Sequence, residues 1–139
     1  MMRTPQPPTS GGIMQHGLIN WLEIPVNDMA RAVRFYEQVL DVRLKRESMS
    51  DLDMAIFPNT DPGGALVAGE GFRPSTGGPL PYLHAPRLDA LLARVREAGG
   101  EVVFGPLLLP DNIGRIAHFA DSEGNRIGVH EPPAGAAQG

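Results

Sequence analysis

The feature that most constrains this chain is a repeated order of elements. A strand-like run, an amphipathic helical stripe and three further strand-like runs occur once over about residues 16–71 and again over about 79–131. In the first copy, Leu18–Val26 is apolar and β-prone, and Asn27 and Asp28 after it are good helix N-caps. Met29, Ala32, Val33, Tyr36 and Leu40 then recur at helical spacing, with Arg31, Arg34 and Glu37 opposite them. Asp41 ends this helix, since Asp tolerates the left-handed backbone. Strands are expected over Val42–Met49, Leu52–Pro58 and Ala65–Glu70, with a turn at Ser50-Asp51 and a loop over Asn59–Gly63.

Gly71–Pro79, dense in Gly, Pro, Ser and Thr, reads as a linker. The pattern then restarts with a strand over Leu80–Ala85 and a second stripe at Leu88, Leu91, Leu92 and Val95, stopped by Gly99-Gly100. Strands over Glu101–Leu109, Arg115–Ala120 and Asn125–Glu131 follow, joined by turns at Pro110–Gly114 and Asp121–Gly124. Identity between the halves is low. What repeats is spacing: the helix starts lie 59 residues apart, and the turns Asp61–Gly64 and Asp121–Gly124 lie 60 apart. These elements predict an α+β fold of two tandem βαβββ modules.

Residues 1–13 and 132–139 are rich in Pro, Gly, Ala and small polar residues and are expected to be flexible tails, because they bury too little apolar surface to offset the entropy of ordering. One domain over 14–131 is expected between them, module one at 16–71 and module two at 79–131. A net charge of −4 gives no electrostatic case for nucleic acid, and the absence of cysteine excludes disulfides and thiolate chemistry. No apolar run approaches a membrane span, and Met1–Gly12 lacks the apolar core of a signal peptide, so a cytoplasmic protein is expected. No Walker A, G-x-G-x-x-G, G-x-S-x-G or H-E-x-x-H motif occurs.

Two stretches resemble a known family. Glu23–Tyr36 (EIPVNDMARAVRFY), ending in Val39-Leu40, is similar to the opening of the glyoxalase/bleomycin-resistance/dioxygenase superfamily, and Phe119–Gly128 (FADSEGNRIG) to its closing strand. The resemblance implies sheets curled into a half-barrel around a cavity, a small-molecule ligand or substrate, and pairing into a homodimer. In metal-dependent members, His and Glu ligands project from the first and last strand of each module. Carried onto this chain, those positions fall on Trp21, Ala68, Leu80 and Gly128, none of which can bind a metal.

Residues two further along each strand point to the same face. These are Glu23, Glu70, Tyr82 and His130, with His84 one more step along. They support three readings: polar residues lining a pocket near strand ends; a metal-free site with Glu23 as base and Tyr82 or His130 as acid; or a displaced divalent-metal site of Glu23, Glu70 and His130, which would serve a lyase or dioxygenase. Trp21, Phe57, Phe72 and Tyr82 are candidates for an aromatic wall, with Trp21, Glu70, His84 and Phe72 contacting a ligand. His118 reads as a packed or cross-strand histidine, His16 as part of a frayed strand entry, and Arg31, Arg34, Arg94 and Arg96 as solvated helix charges.

Overall fold

The computed structural model describes residues 17–60 and 62–135. The tail expected over 1–13, His16, Asp61 and residues 136–139 lie outside the described residues. Module one comprises β1 (Trp21–Pro25), α1 (Met29–Leu40), β2 (Lys45–Met49), β3 (Leu52–Thr60) and β4 (Gly63–Ala68). Module two comprises β5 (Tyr82–His84), α2 (Leu88–Glu97), β6 (Glu101–Leu109), β7 (Gly114–Ala120) and β8 (Arg126–Glu131). Each module makes one four-stranded sheet, ordered β1-β4-β3-β2 and β5-β8-β7-β6. In both, the first strand pairs parallel with the last and the remaining pairs are antiparallel. This is the α+β fold of two tandem βαβββ modules that the spacing predicts.

The helix boundaries follow local chemistry. Asp28 caps α1, its carboxylate accepting the Arg31 backbone N–H at 3.0 Å. Asp41 ends the helix in the left-handed region (φ 57°). The first strand of each module is shorter than the sequence suggests. Pairing with β4 begins at Trp21 opposite Gly63, so Leu18 and Ile19 have no partner strand and are exposed. Pro81 still offers its carbonyl to the Gly128 N–H, but Leu80 falls outside β5, and the Arg126 N–H turns to Ser75 O in the crossing linker.

The apolar stripes of both helices meet in one core. Met29, Ala32, Phe35, Tyr36 and Val39 of α1 and Leu88, Leu91, Leu92 and Val95 of α2 pack with the inward residues of both sheets. Those residues are Ile24, Ala55, Phe57 and Leu66 on one side and Ala117, Phe119, Ile127 and Val129 on the other. The helix pair therefore lies between the two sheets, and each sheet turns its second face outward. Phe57 is a core residue, set edge-on to Tyr36 at 6.3 Å, and does not join an aromatic wall.

A buried polar turn between β7 and β8 joins the modules. Glu123, its side chain fully shielded from solvent, accepts the backbone N–H groups of Asn27 and Asp28 at 2.9 Å each, at the positive end of α1. It also takes Arg31 Nε at 2.7 Å and Arg31 Nη2 at 2.9 Å. Arg31 is thus an inter-module clamp, not the free solvated charge its place on the helix suggests. Beside it, Asp121 accepts the Tyr36 hydroxyl at 2.5 Å and the N–H groups of Glu123 and Asn125 at 2.8 Å each. The Asn125 amide donates to Pro25 O at 2.8 Å. Burial and the Asp121 carboxylate hold the Tyr36 phenol protonated far above its ordinary range.

Burial alone would raise the Glu123 carboxyl, but Arg31, the two N–H groups and the Ser122 hydroxyl together pull it down to about 2. Because the group protonates near 4.5 when unfolded and near 2 when folded, its contribution to stability is full above about pH 4.5 and fades as pH falls toward 2. Glu123→Gln is expected to cost about 2–3 kcal/mol in urea unfolding at pH 7 and to flatten stability between pH 4.5 and 2 relative to the native chain.

Candidate functional site

Alternation along the strands decides which side chains reach the outward faces. In module one, Trp21 and Glu23 point away from α1 while Leu22 and Ile24 pack toward it. Trp21 Nε1 donates to Glu23 Oε2 at 3.2 Å, so the two form one polar edge on this sheet. Beside them lies an apolar patch of Met54, Ala65 and Val67, with Leu52, Ile56 and the half-buried Phe72 against them, and β2 adds the Lys45–Glu47 ion pair (3.2 Å) opposite Ile56 and Met54 on the same face.

The register of β4 differs from the one a uniform 60-residue repeat implies. Glu23 pairs with Ala65, and in module two Tyr82 pairs with Gly128. The closing strands are therefore 63 residues apart. The extra residues sit in the longer β6 arm, which pairs with β7 through two irregularities. Ala68 consequently packs on the helix side, and the outward residues of β4 are Ala65 and Val67. Glu70 lies in the turn after β4 and is exposed.

In module two the outward face carries two rows. One runs Tyr82, Gly128, His118, Phe104, and the other His84, His130, Ile116, Leu107. The Tyr82 hydroxyl and His118 Nε2 are 2.7 Å apart. On the other side of the same ring, Arg126 Nε and Nη2 lie 3.0 and 2.9 Å from His118 Nδ1. Phe104 stacks at a tilt on the imidazole with centroids 4.9 Å apart. Burial, and then the Arg126 charge, push the His118 pKa below its ordinary value. His130 donates from Nε2 to Ile113 O at 2.7 Å, which leaves its Nδ1 available, whereas His84 has no hydrogen-bond partner among the described residues.

Gly128 exists for the Tyr82 ring. A Cβ at this position would stand 2.7 Å from the ring carbons Cδ1 and Cε1, so an edge of the tyrosine occupies the space where a family ligand would project. Next to it opens a pocket of about 470 Å³, lined by Tyr82, Leu83, His84, Leu109, Ile113, Ile116 and His130. Its walls are mainly apolar with three polar side chains, the composition of a small-molecule site.

The residues present do not fit a metal ion. The family positions carry Trp21, Ala68, Leu80 and Gly128, and the outward alternatives on β4 carry no donor side chain. Among the described residues, no three His, Asp or Glu side chains converge as a ligand set, so the Glu23, Glu70 and His130 combination is not assembled. Glu23 belongs to one sheet, Tyr82, His84 and His130 to the other, and Glu70 to neither face. Spacing gave no sign of His118 as a partner of Tyr82. The signal that could have found it is the alternation placing His118, Arg126 and Gly128 on Tyr82's side of the sheet.

The model of the glyoxalase/bleomycin resistance protein/dioxygenase superfamily matches residues 18–129, and the chain belongs to this family. No curated protein matches it. Among solved structures, TnmS3, an antibiotic binding protein from Streptomyces sp. CB03234, is similar at 26% identity and a TM-score of 0.62, over 88% of this chain and 99% of that one. A glyoxalase/bleomycin resistance protein from the same strain is similar at 27% identity and a TM-score of 0.61, over 80% and 97%. A glyoxylase/bleomycin resistance protein/dioxygenase domain from Frankia sp. EAN1pec reaches a TM-score of 0.66 at 20% identity over 88% and 96%, a likeness of fold.

Gly128→Ala is expected to push the Tyr82 ring off the sheet and break its bond to His118. Because the ring is half exposed and free to swing outward, the stability cost should be small, about 1 kcal/mol. A crystal structure of the variant would show the displaced ring, and unfolding curves would give the cost.

Proposed function

We propose that this protein binds a small, largely apolar organic molecule against the outward faces of its sheets, using shape and a few hydrogen bonds instead of metal ligands. The observation that carries this reading is the pocket beside Tyr82, apolar except for a phenol and two imidazoles. The similarity to an antibiotic binding protein at 26% identity supports ligand capture as the activity. Tyr82, His84 and His130 contact the ligand on one sheet, and Trp21, Glu23 and Phe72 on the other.

The site is completed by a second copy of the chain. Each outward face is only one wall, and Trp21, Met49, Tyr82, Phe104 and Leu107 are left exposed in the single chain. Pairing the module-one face of one protomer with the module-two face of its partner would cover these residues. It would also bring Glu23 opposite Tyr82 and His130, the arrangement that general acid–base chemistry on the ligand would need.

Two measurements test this. A thermal-shift screen of antibiotics and aromatic metabolites in EDTA should find compounds that raise the melting temperature, since a ligand of the folded state stabilises it. An effect that appears only with added divalent metal would overturn the metal-free reading. Sedimentation equilibrium at micromolar concentration should give twice the 14.9 kDa chain mass. A monomer there would remove the second-copy part and leave ligand binding standing.

A further inference from the structure

We propose that Arg126 and His118 are positioning residues that turn Tyr82 into a fixed hydrogen-bond donor, so that this wall selects aromatic ligands carrying an exposed carbonyl or ionised oxygen. The inference rests on the ligand-binding reading above and names the ligand chemistry.

The direction of the relay follows from the inventory of donors. A guanidinium carries only donors, so the two Arg126 contacts require a lone pair on His118 Nδ1. A neutral imidazole with a bare Nδ1 holds its proton on Nε2. The bond to Tyr82 therefore runs from the imidazole to the phenol oxygen, at 2.7 Å. Having accepted there, the hydroxyl directs its own proton away from His118, and Tyr82 is half exposed and lines the pocket, where a ligand oxygen can take that proton in a hydrogen bond.

A second observation points the same way. Among the described residues Arg126 has no carboxylate partner; its charge is spent on a neutral ring. An uncompensated cation one residue behind the donor favours an electron-rich oxygen over a second donor at the pocket mouth. The flat surfaces beside it, the Tyr82 and Phe104 rings set against His118 with centroids 5.4 and 4.9 Å away, suit an aromatic body.

Fluorenone and fluorene share a planar shape and differ in a carbonyl against a methylene, so they isolate the acceptor. The native chain should bind fluorenone about five- to tenfold more tightly than fluorene, the worth of one hydrogen bond. Tyr82→Phe should bind both, within about twofold of each other. Long-range ¹H–¹⁵N spectra of the free protein at neutral pH should show His118 neutral and protonated at Nε2, becoming a tautomer mixture in Arg126→Gln with reduced fluorenone preference. Equal binding of the two probes by the native chain, or a preference that survives Tyr82→Phe, overturns the proposal while ligand binding stands. A His118 protonated at Nδ1 overturns it without any ligand. If neither probe binds, the aromatic-ligand selection is overturned, and the screen above separately decides whether the protein binds ligands at all.

Discussion

The structure depends on how the β7–β8 turn is held. Glu123 answers two unpaired backbone N–H groups at the start of α1 and the Arg31 guanidinium, while Asp121 holds the Tyr36 hydroxyl and Asn125 holds Pro25 O. All these partners belong to the other module. Buried carboxylates tolerate little freedom, because each lost partner leaves a desolvated charge. The turn therefore fixes the end of β1 and the first turns of α1 against the closing strands of module two.

That placement determines what the molecule can do. With both helices and both inner sheet faces committed to one core, the outward sheet faces carry the pocket beside Tyr82 and the Tyr82–His118–Arg126 network. They are unlike each other. The module-one face has an apolar centre between the Trp21–Glu23 pair on β1 and the Lys45–Glu47 pair on β2, whereas the module-two face carries a histidine with hydrogen-bonded groups on both ring nitrogens. Metal chemistry needs convergent donors, and the strand positions that would supply them hold an indole, a glycine under a tyrosine ring and alanines or valine. What remains is a surface suited to shape and directional hydrogen bonding.

Much of this was legible along the chain. The helix stripes, the caps at Asp28 and Asp41, and the turns at Ser50 and Asp111–Asn112 follow from short-range steric and hydrogen-bonding preferences, and all adopt the expected geometry. The outward direction of Trp21, Glu23, Tyr82 and His130 follows from alternation within a single strand. The register of β4 was not legible. It depends on where a strand pairs with a distant partner, and the irregular β6 arm shifts the second module by three residues from a uniform repeat. That shift turned Ala68 inward and left Glu70 in a turn.

Arg31 and His118 mark the same divide. On its own helix Arg31 is an exposed cation, and only the arrival of Glu123, 92 residues away, makes it a clamp. His118 between Ala117 and Phe119 reads as a packed or cross-strand histidine, and only the register of β5, β7 and β8 shows that its neighbours are Tyr82 and Arg126. The two-copy βαβββ architecture was readable along the chain, since it rests on local spacing and residue chemistry. Tertiary structure alone decided which polar groups meet, because strand register and module docking join residues whose separation along the chain carries no trace of their contact.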